Sequence, residues 1–151
     1  MMTTRGRIAA AIGGVAVSGL SALVAFAGPA AASQSSATAQ VTTNWVRFFK
    51  GSTPPAQKVK LLENGSRFTS IIEAQAKSLL AQSTTVKVLS VQVLSKSKAT
   101  VKYTIYLGGR PALANQKGTA VLQSKVWKVG ASSFCSLLSL EGTKTSACPG
   151  M

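Results

Sequence analysis

Residues 98–107 constrain this chain more than any other stretch. Val101, Tyr103, Ile105 and Leu107 alternate with Lys98, Thr100, Lys102, Thr104 and Tyr106. Successive side chains of a strand point to opposite faces, so this run has one apolar and one wet face and demands an antiparallel sheet covered on one side. The preceding run, 85–95, places Leu89, Val91 and Val93 on one face, with Val86 and Val88 leaving the other partly apolar near its start. Ser95-Lys96-Ser97-Lys98 supplies the turn between the two. Residues 119–123 and 126–129 form a second pair across Ser124-Lys125. A tight turn there sets Leu122 opposite Trp127 and Ala120 opposite Val129, and leaves Lys125 and Lys128 in water. Gly108-Gly109-Arg110-Pro111 breaks the second strand, and 112–117 reads as a loop. After Gly130, residues 132–140 form either a short helix capped by Ser132 or Ser133 or an edge strand, ended by Gly142.

Helical patterns precede the strands. Val41, Trp45, Phe48 and Phe49 fall at i, i+4, i+7 and i+8, one face of a helix that stops at Gly51. Thr53 as N-cap and Pro54 as first helical residue open a second helix that runs through Val59, Leu61 and Leu62 to Glu63, where Asn64-Gly65 stops it. A third is expected over 66–81, with Phe68, Ile71, Ile72, Leu79 and Leu80 as its apolar stripe and Gln75 and Lys77 facing water. Helices followed by strands give an α+β domain, with N-terminal helices packed on a curved four-stranded antiparallel meander. Such a roll commonly encloses a cone-shaped cavity, and Trp45, Phe48, Phe49, Tyr103 and Trp127 are its candidate lining; the alternative is that they fill the core.

The first 32 residues read as a signal peptide: Arg5 and Arg7 without an acid, an apolar run over 8–26, then Ala30-Ala31-Ala32 as cleavage site. The alternative is an uncleaved N-terminal anchor. Residues 33–40 read as a flexible lead, 41–142 as one domain and 143–151 as a tail. The tail is stapled by a disulfide between Cys135 and Cys148, the only two cysteines, as expected of an exported chain. Asn64-Gly65-Ser66 matches a glycosylation sequon of low information.

The chain carries 17 Lys and Arg against three acids. It has no histidine and no aspartate. Without residues 1–32 the net charge is +12, because only Arg5 and Arg7 are lost from +14. Lysine predominates over arginine, which points away from nucleic acid and toward anionic envelope polymers, lipid headgroups or acidic proteins. The basic surface expected to hold them comprises Lys87, Lys96, Lys98, Lys102, Lys125 and Lys128.

Lys60-Leu61-Leu62-Glu63-Asn64-Gly65 leading to Phe68, Ala99-Thr100-Val101-Lys102-Tyr103, and Gly118-Thr119-Ala120-Val121-Leu122-Gln123 closing on Trp127-Lys128-Val129 carry a resemblance over roughly 40–142. The chain resembles the C-terminal domain of actinobacterial secreted low-molecular-weight antigens. The resemblance implies a fold similar to the nuclear-transport-factor-two-like and cystatin-like group, and an exported protein of unassigned biochemistry. It transfers no functional residues, and the Cys135–Cys148 pair departs from the mycobacterial pattern.

Cavity enzymes of such folds place an aspartate or histidine in the cavity, and neither residue type occurs here. Glu63, Glu73 and Glu141 are too dispersed for paired acid–base work, so no catalytic residue, metal or cofactor is expected. The first expectation is a non-catalytic binding or structural protein of the bacterial envelope or extracellular space. The alternatives are a carrier of a small apolar ligand between helices and sheet and, more remotely, an enzyme using Glu73 with Tyr103 or Tyr106.

Overall fold

The computed structural model describes residues 28–149. Most of the expected signal peptide therefore lies outside the described residues. The sheet is a four-stranded antiparallel meander in the order β1 (Thr84–Val93), β2 (Lys98–Leu107), β3 (Arg110–Gln123) and β4 (Val126–Val129). α1 (Pro29–Phe49) lies against β1 and β4, the two outermost strands, so the sheet curls around it as a half-barrel. The α+β class and the order of helices before strands are as the sequence predicts.

Ala99, Val101, Tyr103 and Ile105 of β2 are buried beneath α1, as their alternation demands. β1 departs from the expected facing. Val88 pairs with Tyr103 but Ser90 pairs with Lys102, so Leu89 is an extra residue in a β-bulge. The bulge reverses the alternation: Val86 and Val88 before it, and Val91 and Val93 after it, all pack against the core, while Leu89 turns outward.

β3 is longer than expected. Gly108 and Gly109, at φ +56° and +79°, make a two-residue turn with a twist that suits the strands, and the expected loop 112–117 continues as strand. Two register shifts opposite Ile105, together with Asn115 at φ 54°, absorb its irregular pattern. Most of this half of β3 is exposed beyond the end of β4, which is why it lacks apolar alternation. Ser124 and Lys125, at φ 52° and 63°, close β3 onto β4 with Leu122 opposite Trp127 and Ala120 opposite Val129, the expected register.

α1 begins earlier than expected: 33–40, read as a flexible lead, is helical, and the expected cleavage point after Ala32 falls inside the helix. Val41, Trp45, Phe48 and Phe49 anchor it on the core, and no Gly or Pro between Pro29 and Phe49 interrupts propagation from that nucleus. α2 (Pro55–Leu61) starts with Pro55 at the first position, one residue later than read. Leu62 then leaves the helix to bridge Val129, and Asn64 turns left-handed at φ 51°. The single helix expected over 66–81 is instead a 3-10 turn (Gly65–Phe68), α3 (Thr69–Ala76) and α4 (Leu79–Gln82). Ser78 breaks it: its backbone is extended, and its hydroxyl accepts from the Ala81 N–H, a capping geometry that competes with continued helix.

Residues 131–140 are the helix rather than the edge strand: α5 (Ala131–Leu140). Neither serine caps it. The Glu63 carboxylate accepts from the Ala131 N–H at 2.9 Å, so a residue 68 positions earlier performs the capping and sets its charge at the positive end of the helix. Cys135 of α5 is disulfide-bonded to the buried Cys148, with Cα atoms 5.7 Å apart, tying the tail to the body.

Candidate functional site

The concave side of the sheet is filled. Trp45 occupies its centre, with its ring centroid 5.2 Å from Tyr103 and 5.9 Å from Phe49. Phe48 meets Phe49 and Phe134 edge-on, and Phe134 meets Phe68. Gly118 makes room for the indole: a Cβ there would stand 2.9 Å from Trp45 Cη2. Trp45, Phe48, Phe49, Tyr103 and Trp127 are all buried. Burial pushes the Tyr103 phenol up to about 12, which keeps it neutral. Glu73 is exposed on α3, while Tyr103 is buried against Trp45 and Phe49.

Open space lies at the rim. A groove of about 590 Å³ runs between the first half of α1 and the β1–β2 turn. Val93, Leu94 and Trp127 supply its apolar lining, Ser33 and Gln40 its polar edge, and Lys96 a cation.

The convex face of the sheet is lysine-coated. Residues directly opposite one another in a ladder share a face. Lys102 of β2 stands opposite Ser90 of β1 and Lys117 of β3. Lys98 stands opposite Val121, which in turn faces Lys128, and Lys87 stands opposite Thr104. Lys87, Lys98, Lys102, Lys117 and Lys128 therefore project from the side opposite Val101, Tyr103 and Ile105. Lys96 and Lys125 sit on the two turns at one end of this face, which the Leu122 N–H ties together by donating to the Ser97 carbonyl. Sequence reading missed Lys117 because it lies in the expected loop; its signal was the charge itself. All of these lysines are exposed except Lys128, which is half-buried and donates to Gln123 Oε1 at 3.3 Å.

Nothing on the strands neutralises this face. No acidic residue occurs between Glu73 and Glu141. Glu63 is committed to α5, and Glu141 accepts from Gln75 Nε2 at 3.2 Å. Lys102 and Lys117, directly opposed like charges, are destabilising to the sheet. The sequon asparagine is also engaged: Asn64 Oδ1 accepts from Gln123 Nε2 at 2.9 Å, and its backbone N–H donates to Gln123 Oε1.

A family model described as low molecular weight antigen MTB12, C-terminal domain, matches residues 34–145. No curated protein and no solved structure matches the chain. The antigen family and the disulfide together suggest an exported protein. Among the described residues no helix is long and apolar enough to cross a membrane.

Proposed function

We propose that this chain, which belongs to the low molecular weight antigen MTB12 C-terminal-domain family, is an exported, non-catalytic binding protein of the bacterial envelope or extracellular space, whose lysine-coated sheet face holds an anionic partner. The observation that carries this reading is the array of Lys87, Lys98, Lys102, Lys117 and Lys128 on one face of strands that contain no carboxylate. Five cations spread over four strands suit a repeating polyanion better than a single small anion. Exposed ion contacts contribute roughly 0.5 kcal/mol each and are screened by salt.

The test is binding to isolated, phosphate-bearing wall polymer over a salt series. Affinity should fall steadily with ionic strength, and replacing Lys87, Lys98, Lys102 and Lys117 by serine should weaken it about tenfold or more. Salt-independent binding, or an unaffected quadruple variant, would refute the assignment.

The rim groove favours a second reading, that of a carrier for a small apolar ligand seated on Trp127, Val93 and Leu94. Its volume lies in the range of ligand sites. Native mass spectrometry of protein from its own host would show a co-purifying amphiphile that Leu94→Lys releases; uniformly empty protein would count against it.

A further inference from the structure

The leucines expected in the third helical stripe are the anomaly of this surface. Leu79 is 82% exposed and Leu80 60%, on a four-residue helix at the end of the molecule opposite the β1–β2 turn. Their outward setting is built rather than frayed. The Leu80 carbonyl accepts from Ser83 Oγ at 2.8 Å and Thr84 Oγ1 at 3.2 Å, and Gln82 Nε2 donates to the Ala76 carbonyl at 3.1 Å. Gly51 packs where any Cβ would collide with the Ala81 and Gln82 carbonyls, and its N–H donates to the Thr84 carbonyl at 2.9 Å. On the other side the Gly108 N–H donates to the Ser83 carbonyl at 3.2 Å.

These contacts bring the chain segments that carry three exposed cations to the same end of the molecule as the leucine pair. Lys50 precedes Gly51, Arg110 follows the Gly108-Gly109 turn, and Lys77 lies two residues before Leu79. The nearest carboxylate along the chain is Glu73, one helical turn before Lys77. An exposed apolar pair sharing one end of the molecule with long cationic side chains has the chemistry of an interfacial membrane contact: the leucines leave water, while the cationic heads stay at the phosphate level on their aliphatic stems.

We propose that this tip docks on an anionic lipid bilayer, with Leu79 and Leu80 entering the boundary between headgroups and acyl chains and Lys50, Lys77 and Arg110 meeting lipid phosphates. A second copy of the chain is disfavoured as occupant, because apposed tips would bring the same three cations face to face. Two leucines also offer far less area than a stable protein interface needs. The site is separate from the lysine face of the sheet and does not depend on what that face binds.

The experiment is co-sedimentation of the protein with phosphatidylcholine vesicles with and without phosphatidylglycerol. Binding should require phosphatidylglycerol and weaken with salt. L79N/L80N should lose about tenfold or more, equivalent to about 1.4 kcal/mol for a tenfold change, while its thermal midpoint and its binding to wall polymer stay unchanged. In L79W the indole fluorescence should shift to the blue when these vesicles are added. Equal partition of wild type and L79N/L80N, an unshifted L79W spectrum, or a wild-type dimer that L79N/L80N dissolves would each overturn the proposal. Loss of polymer binding in the lysine variants, with leucine-dependent vesicle binding intact, would separate the two sites.

Discussion

Replacing Ser133 by alanine removes a single hydroxyl that stands in for a missing strand. β4 pairs with β3 only along Ala120–Gln123, so at Thr119 the ladder ends although β3 continues. Two groups from the start of α5 take over: the Gly130 N–H donates to the Thr119 carbonyl at 2.7 Å, and Ser133 Oγ accepts from the Thr119 N–H, also at 2.7 Å. Ser133 is 8% exposed, so water has little access to replace it. Leaving a buried N–H without an acceptor costs about 1–3 kcal/mol, and the better helix propensity of alanine returns about 0.5 kcal/mol. The net loss is about 1–2 kcal/mol, a fall of about 4–10 °C in Tm for a domain of this size. Ser132 is exposed on the same turn of α5, and Ser132→Ala is the matched control, with stability unchanged or slightly raised. Hydrogen exchange gives the local readout, because the Thr119 amide should lose protection only in Ser133→Ala. Equal shifts in the two variants, or an unchanged Thr119 amide, would refute the strand-substitute argument.

Three further outcomes follow from the interior. Reducing the Cys135–Cys148 bond, or replacing both cysteines by serine, should lower stability by about 3 kcal/mol in chemical denaturation, since the bond closes a short loop across a sequence separation of 13; an unchanged midpoint would show that the tail contributes nothing to the body. Gly118→Ala should cost about 1–3 kcal/mol and alter the near-ultraviolet circular dichroism of tryptophan, because the new methyl crowds Trp45. Tyr103 should form phenolate only near pH 12 by absorbance at alkaline pH, and Tyr103→Phe should abolish that step. Since the folded value lies above the unfolded value of about 10, the associated stability is complete below pH 10 and is lost as pH rises from there through 12. A wild-type stability flat over that window would contradict the burial argument.

The parts legible in the sequence were those that one pattern specifies alone. Lys98–Leu107 alternates without interruption, so its buried face could be read directly, and the spacing between Leu122 and Trp127 left the Ser124-Lys125 turn little freedom of register. The rest depended on competition between local and distant contacts. One extra residue at Leu89 inverts a period-two pattern, and nothing in a run of valines and leucines marks which residue is extra. The first half of β3 carried no strand signal because much of it is exposed beyond the end of β4. Ser78 can sit inside a helix or cap the next one, and the contacts of Gly51 and Gly108 with the α4 region favour the second. Lys117, outside the expected basic surface, went unread for the same reason as its strand.

Composition and periodicity by themselves determined an α+β chain with helices before a four-stranded meander, a strongly cationic surface, one disulfide and a dispersed set of three carboxylates, because these follow from residue identity and short-range geometry. Tertiary structure decided where the charge and the apolar surplus lie. Strand register aligned the lysines on one convex face, the fit of Trp45 against Gly118 filled the interior, and the break at Ser78 turned Leu79 and Leu80 into water. Those outcomes depend on which distant groups meet, and a pattern confined to neighbours along the chain does not encode that meeting.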